Sequence, residues 1–249
     1  MLTELRRQMR ANGYPRFKVN RLEDLLDRLQ KSSIGTSNFT AKLLKSVGDA
    51  QQFHDIFVAG KFAAILADNG FRQVEIEYEP QGPDVRASYN GRTIYFEVTR
   101  RHSDEDEWGG FSPEPPEDEL GKIRSKIFGK LSQLKEEEIN VVVYWSSTSK
   151  VMSHRMAQAF AAEISRILEE DPEPWKELSG ILFTEMLGTD IATLKQFCLF
   201  RNERAARPLA PRLATKLESL FDGGLRKKRE LQELYEGVKS SLGPPSSGE

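Results

Sequence analysis

The dipeptide Asn90-Gly91 constrains the fold of this chain more than any other short segment. It separates two runs, 84–89 and 92–100, in which apolar and polar residues alternate. Asn-Gly between alternating runs is typical of a two-residue β-hairpin. In such a hairpin each residue pairs with the one at the same distance from the turn on the other strand. Asp84 is therefore predicted to lie directly opposite Glu97.

This register brings two carboxylates together on the polar face of the hairpin. Directly opposed residues have Cβ atoms about 4.5–5.5 Å apart. Two carboxylates about 5 Å apart repel each other by about 3 kcal/mol at an effective dielectric constant of about 20. A divalent cation would convert this repulsion into chelation, and Mg²⁺ is commonly bound through one or two carboxylates. The alternative is a solvated polar face on which Arg86 or Arg100 relieves the repulsion.

The remaining hydrophobic periodicity predicts helices and strands in a mixed order. Helices are predicted at 2–11, 20–30, 37–46, 50–69, 118–137, 152–168, 213–221 and 224–239. Strands are predicted, besides the hairpin, at 74–79, 139–145, 181–183 and 194–200. This order favours the α/β class, as an α+β mixed sheet flanked by helices. Residues 1–48 are expected to form a helical extension, 49–205 the core, 206–242 C-terminal helices and 243–249 a disordered tail.

Composition narrows the classes of function. The chain of 249 residues has 36 Lys and Arg against 38 Asp and Glu, so a uniformly basic nucleic-acid coat is excluded. One cysteine and three histidines do not suffice for a cysteine cluster or a histidine-rich metal site. No run reaches the ~20 apolar residues of a membrane span. We expect no membrane partner and a cytoplasmic location.

The segments Gly82-Pro83-Asp84 and Phe96-Glu97-Val98-Thr99 resemble the motif of the PD-(D/E)XK nuclease superfamily, which has the restriction-endonuclease-like fold. The family pattern is Pro-Asp, a variable hairpin and then Asp/Glu-x-Lys on the next strand. Its core order of helix, three-stranded meander, helix and strand matches residues 50–145. The resemblance implies a restriction-endonuclease-like core with helical N- and C-terminal additions.

The resemblance also implies a set of metal ligands. Asp84, Glu97 and the backbone carbonyl of Val98 would hold Mg²⁺, with Mn²⁺ as a substitute. Family members often add an acid from the first core helix, and Asp55 is the candidate for that position. The ion would polarise the scissile phosphate and lower the pKa of a bound water.

One position departs from the family pattern, because Thr99 replaces the usual motif lysine. In some members of the superfamily this lysine has moved to the following helix. Lys126 is the favoured replacement, and Lys122 and Lys130 are the alternates. The three lysines lie on one face of the predicted helix 118–137, so a solvated basic face is the competing interpretation. Gln133 resembles the glutamine that follows the lysine in some relatives.

Two basic segments are candidates for phosphate contacts. Arg100 and Arg101 lie just past the predicted metal strand, where they could contact flanking phosphates or simply be surface arginines. A second run belongs to the last predicted helix, where it could follow a nucleic-acid backbone or form a solvated face. Its residues are Arg226, Lys227, Lys228 and Arg229.

Together these features favour a metal-dependent DNA endonuclease, with DNA or RNA as its partner. Restriction-type members often dimerise, so a homodimer is one candidate assembly. The alternative is a catalytically inactive nuclease-fold module that binds nucleic acid or a protein partner, which Thr99 favours. A small-molecule α/β enzyme has no support, because the chain has no G-x-G-x-x-G, phosphate-loop or G-x-S-x-G pattern.

Overall fold

The computed structural model describes residues 1–76, 82–100, 117–146, 154–186 and 194–220. Within these ranges six strands form one mixed sheet whose spatial order follows the chain order. The strands are β1 Arg72–Ile76, β2 Val85–Tyr89, β3 Arg92–Arg100, β4 Ile139–Ser146, β5 Gly180–Met186 and β6 Leu194–Arg201. The helices are α1 Leu2–Ala11, α2 Arg16–Lys31, α3 Ser37–Ser46, α4 Ala50–Asp68, α5 Glu117–Phe128, α6 His154–Glu170 and α7 Pro211–Glu218. The α/β class with a mixed sheet and flanking helices is therefore confirmed.

The predicted hairpin register is confirmed. Val85 pairs with Phe96 and Tyr89 pairs with Arg92 across antiparallel β2 and β3. Asn90 and Gly91 have φ values of 50° and 75°. Positive φ at both central residues defines a type I′ turn, whose twist matches that of the flanking strands. The turn therefore sets the register of the hairpin.

The sheet combines an antiparallel meander with parallel crossovers. β1, β2 and β3 are antiparallel neighbours, and β5 and β6 are also antiparallel. β4 is parallel to both β3 and β5, with α5 and α6 in the two connections. Parallel neighbours require such crossover connections, usually helical. Among the described helices, none has the length and apolar composition needed to cross a membrane.

Helix α4 has clear sequence signals at both ends. The side chain of Asp49 caps its first turn by accepting hydrogen bonds from the amides of Gln51 and Gln52, both at 3.0 Å. Gly70 follows the helix with a φ of 82°, a conformation that glycine adopts without strain. The predicted helix 50–69 therefore agrees with α4 to within one residue at its C-terminal end.

The sheet separates two hydrophobic clusters, one on each face. In β4, Val141 and Val143 belong to the first cluster, whereas Val142 and Tyr144 belong to the second. This alternation follows from the two-residue period of a strand. The first cluster includes residues of α1 to α4 and α7, and the second includes Ile127 of α5 and residues of α6.

The N-terminal helices share the first cluster with the sheet. Leu5, Leu25 and Phe39 are buried in the same cluster as Phe62 of α4 and Phe96 of β3. The rings of Phe62 and Phe96 lie 5.2 Å apart. Residues 1–48, predicted as an extension, thus contribute to the core that supports β3.

The predicted helix 118–137 is wrong at its C-terminal end. α5 ends at Phe128, and a short 3₁₀ turn follows at Leu131–Gln133. Gly129 is a poor helix former. Buried Asn140 then holds the next segment, because its side chain bonds both the amide and the carbonyl of Lys135 at 3.0 and 2.7 Å. These bonds take the place of the backbone hydrogen bonds that a continuing helix would form.

Other boundaries shift by a few residues. α2 begins at Arg16 instead of residue 20, and β1 contains a bulge between Arg72 and Glu75. The predicted helix 224–239 and the predicted tail 243–249 lie outside the described residues.

A pair of Gly→Ala substitutions tests the packing of α3 on α4. A Cβ at Gly60 would collide with the ring of Phe39, whereas a Cβ at Gly121 of α5 meets no atom within 4 Å. We expect Gly60→Ala to lower the free energy of unfolding by about 1–2 kcal/mol, because overpacking exceeds the gain in helix propensity. Gly121→Ala, the matched control, should raise it by up to ~1 kcal/mol. Urea unfolding measures both, and equal stabilisation by the two would contradict the described packing.

Candidate functional site

Asp84 and Glu97 meet on the sheet face that carries the second hydrophobic cluster. Phe96 and Val98 belong to the first cluster, so Glu97 between them points to the opposite face. Asp84 immediately precedes β2 and continues the hairpin register opposite Glu97. The Asp84 side chain lies within hydrogen-bonding reach of the Glu97 carboxyl group. The two predicted acids are therefore in contact.

The backbone of β3 holds Asp84 in place. The Val98 amide donates a hydrogen bond to Asp84 Oδ2 at 2.8 Å. This bond joins the residue before β2 to the residue after Glu97, so one strand positions both acids. The family resemblance implies a role only for the carbonyl of Val98, and the role of its amide was not predicted. An alternating pattern indicates which side chains face each other, but not which backbone groups they bond.

Lys130 brings a positive charge to the acid pair. Its Nζ donates a hydrogen bond to Glu97 Oε1 at 2.5 Å and lies 3.5 Å from Gln133 Oε1. Glu97 is fully buried, whereas the Lys130 side chain is 28% exposed. Because α5 ends at Phe128, Lys130 lies in the turn after the helix and not on its face.

Burial and neighbouring charges perturb both partners of this ion pair. Desolvation raises the pKa of Glu97, although Lys130 and the hydrogen bonds to Asp84 oppose this effect. Burial lowers the pKa of Lys130, but Glu97, Asp84 and Asp55 together raise it above its ordinary value. Lys130 therefore stays charged at neutral pH, and the pKa of Glu97 stays above its ordinary value despite the ion pair.

Asp55 belongs to the electrostatic surroundings of the site. It lies in the N-terminal half of α4, and its carboxylate is close enough to Lys130 to raise the pKa of that lysine. Within the described ranges, however, no group of three or more His, Cys, Asp or Glu side chains could hold a metal ion together. Asp55 therefore adds charge near the acid pair without completing a three-acid cluster.

Of the other two predicted lysines, the structure describes only the side chain of Lys126, which does not join the site. Lys126, the favoured replacement for the motif lysine, is exposed on α5. The reason is the early end of α5, which makes Lys130 the lysine that reaches Glu97. Lys122 lies on α5, but its side chain is outside the described part of the chain. Thr99 is buried on β3, two residues after Glu97 on the same face.

The predicted phosphate contacts cannot be located from the described residues. Arg100 ends β3, and its side chain lies outside the described part. The other predicted contacts lie wholly outside it, namely Arg101, Arg226, Lys227, Lys228 and Arg229.

The donor set fits a hard divalent cation. Asp84 and Glu97 provide carboxylate oxygens, and Mg²⁺ is usually bound through one or two carboxylates together with water and phosphate oxygens. Cys198 offers no alternative chemistry, because burial raises the pKa of its thiol to about 11 and keeps it protonated.

Comparisons of the chain with family models, curated proteins and solved structures find no match.

Two lysine variants test whether Lys130 neutralises the buried acid. Lys130→Met should lower the free energy of unfolding by about 3 kcal/mol at pH 8, because it leaves Glu97 charged, buried and without its cation. The loss should shrink as the pH falls through the raised pKa of Glu97, since a protonated carboxyl needs no cation. A carboxyl group whose pKa is higher in the folded state than in the unfolded state lowers the free energy of unfolding as the pH rises. Urea unfolding between pH 5 and pH 8 measures the effect.

Lys126→Met is the matched control for this experiment. It removes the same charge from the same segment at an exposed position, so we expect a change within about 0.5 kcal/mol at both pH values. A loss of equal size in the two variants, or a Lys130→Met loss that does not vary with pH, would contradict the assigned ion pair.

Proposed function

We propose that the chain is a metal-dependent nuclease that hydrolyses phosphodiester bonds, with DNA as its first candidate substrate and endonucleolytic cleavage as its mode. The observation that carries the proposal is the contact of Asp84, Glu97 and Lys130 in one partly buried site. Two acids and one lysine are the residue types of the PD-(D/E)XK motif. Here the lysine comes from the turn after α5 instead of position 99.

The order of elements supports the same superfamily. α4, the meander β1 to β3, α5 and parallel β4 follow one another as in a restriction-endonuclease-like core. The acids lie where the meander meets the crossover. A nuclease of this kind needs an acid pair and a lysine from a neighbouring element. Here β3 positions the acid pair, and the turn after α5 provides Lys130.

Asp84 and Glu97 would hold the metal ion, with the Val98 carbonyl as a third oxygen ligand. When bound, Mg²⁺ acts as a Lewis acid on the phosphate and generates a nucleophilic water at neutral pH. The Val98 amide keeps Asp84 in position at 2.8 Å. The apolar residues around Glu97 exclude bulk water, which strengthens every charge interaction in the site.

Lys130 would act on the phosphate side of the reaction. Its pKa is raised, so its ammonium group remains a hydrogen-bond donor at neutral pH. The side chain is partly exposed, and its Nζ can therefore face both Glu97 and an incoming phosphate. In that position it orients a water molecule or stabilises the negative charge that develops on the phosphate oxygens. Asp55 adds to the field that keeps this lysine protonated.

The second candidate function is a non-catalytic nuclease-fold module that binds nucleic acid or a protein partner. The observation that favours it is that groups of the chain itself already bond to both acids. Glu97 is paired with Lys130, and Asp84 accepts from the Val98 amide. A polar network of this kind is stable without a cation, and Thr99 occupies the position of the motif lysine.

Cleavage assays with matched variants test the proposal. The purified chain, incubated with Mg²⁺ or Mn²⁺, should cut supercoiled DNA. Asp84→Asn and Glu97→Gln should reduce the rate at least ~10³-fold, because each removes a charged ligand of the ion. Lys130→Met should reduce it ~10²-fold or more. Glu163→Gln on α6, where the acid forms a surface pair with Arg124, is the carboxylate control and should leave the rate unchanged.

Binding measurements separate the two candidate functions. Fluorescence anisotropy with labelled duplex DNA, single-stranded DNA and RNA, all in EDTA, reports binding without cleavage. Binding together with metal-dependent cleavage that is lost in the acid variants supports the nuclease. Binding with no cleavage under any divalent ion supports the non-catalytic module. If every strand stays intact and unbound, the nuclease and the nucleic-acid-binding module both fail, and only a module that binds a protein partner is left.

A further inference from the structure

A surface cavity lies at the opposite end of the sheet from the acid pair. It has a volume of about 460 Å³ and is formed by the start of β3, the end of β6 and the segment that leads into α7. Three arginines and a single glutamate contribute the charges of its lining, and most other lining residues are apolar. The lining includes Arg92, Arg201, Arg207, Glu203, Ile139 and Leu209.

The cavity is separate from the acid pair. Arg92 begins β3, and Glu97 lies about 16 Å further along the strand at about 3.3 Å per residue. Ile139 and Leu209 belong to the first hydrophobic cluster, whereas Glu97 points to the face of the second. The two sites therefore occupy opposite faces and opposite ends of the sheet.

The arginines of the cavity keep most of their hydrogen-bonding capacity. Arg201 pairs with Glu203 at 2.8 Å, and its Nε is buried without an acceptor among the described residues. Arg207 uses its Nε to bond the carbonyl of Glu137 at 3.0 Å. Arg92 is exposed and has no described side-chain partner. Because a guanidinium group has five N–H donors, the lining offers many donors and a net positive charge.

The start of α7 adds a partial positive charge at the rim. Its N-cap is Ala210, which has no side-chain acceptor for the first amides, and Pro211 occupies the first turn. Both residues line the cavity. An uncapped helix N-terminus carries a partial positive charge and favours an anion. The backbone and the arginines thus favour the same type of ligand.

We propose that this cavity binds a nucleoside phosphate. Arginine forks match the geometry of phosphate oxygens and bind them through paired hydrogen bonds. The apolar surface of Ile139 and Leu209 suits the base or sugar of such a ligand. The volume falls within the roughly 300–1,000 Å³ of small-molecule sites. Binding requires neither the acid pair nor a divalent cation, so the proposal does not depend on the nuclease.

Calorimetric titration in EDTA tests the site with four probes. These are a nucleoside 5′-triphosphate, the 5′-monophosphate, the unphosphorylated nucleoside and inorganic phosphate, all at constant ionic strength. We expect the nucleoside phosphates to bind more tightly than either inorganic phosphate or the nucleoside, because only they engage the arginines and the apolar surface together. Arg92→Gln should weaken their binding about ten-fold or more, since it removes a charged donor.

Two matched variants make the result specific to this cavity. Arg212→Gln removes an exposed arginine next to the cavity that does not line it, and should leave the affinity unchanged. Asp84→Asn should also leave it unchanged, which separates this site from the acid pair. The proposal is overturned if no nucleoside phosphate binds, or if Arg92→Gln and Arg212→Gln weaken binding equally. A short oligonucleotide serves as a fifth probe, and the proposal is also overturned if it alone binds, because the phosphate would then belong to a nucleic acid.

Discussion

The buried carboxylate of Glu97 imposes the strictest requirement on this structure. A charge removed from water costs several kcal/mol unless a cation and hydrogen bonds compensate it. Lys130 provides the cation at 2.5 Å, and Asp84 lies in contact on the other side. Both neighbours depend on local geometry: the Asn90-Gly91 turn sets the position of Asp84, and the end of α5 at Phe128 sets the position of Lys130. A change in either would leave Glu97 uncompensated.

The helices on the other face of the sheet support the same strand. Phe62 of α4 packs on Phe96, the residue immediately before Glu97, and Phe39 of α3 packs on α4 at Gly60. Protein interiors are close-packed, so a displacement on one side of β3 is felt on the other. The N-terminal helices therefore matter for the acid pair through the packing that supports β3. α4 supports β3 through Phe62 and also carries Asp55 close to Lys130.

The features that were predicted correctly are those that a few adjacent residues determine. The type I′ turn, the pairing of the two acids and the end of α4 before Gly70 all follow from a few adjacent residues. The choice of Lys130 among the three predicted lysines could not be made in this way. The position of this lysine depends on Asn140, a polar residue inside an apolar strand, which holds the segment around Lys135. The cavity arginines were also missed, because they come from segments that are distant in sequence and contribute no shared motif.

The energetics of the acid pair favour a chemical role over a stabilising one. Replacing a buried ion pair with apolar residues of similar volume is often neutral or stabilising. Glu97 lies beside Val142 in a layer where apolar side chains would pack without any desolvation cost. The hydrogen bonds from Asp84 and the charge of Lys130 only partly offset the desolvation of Glu97, because the pKa of Glu97 remains raised. Stability alone therefore does not explain two acids here, whereas the binding of a cation uses both of them.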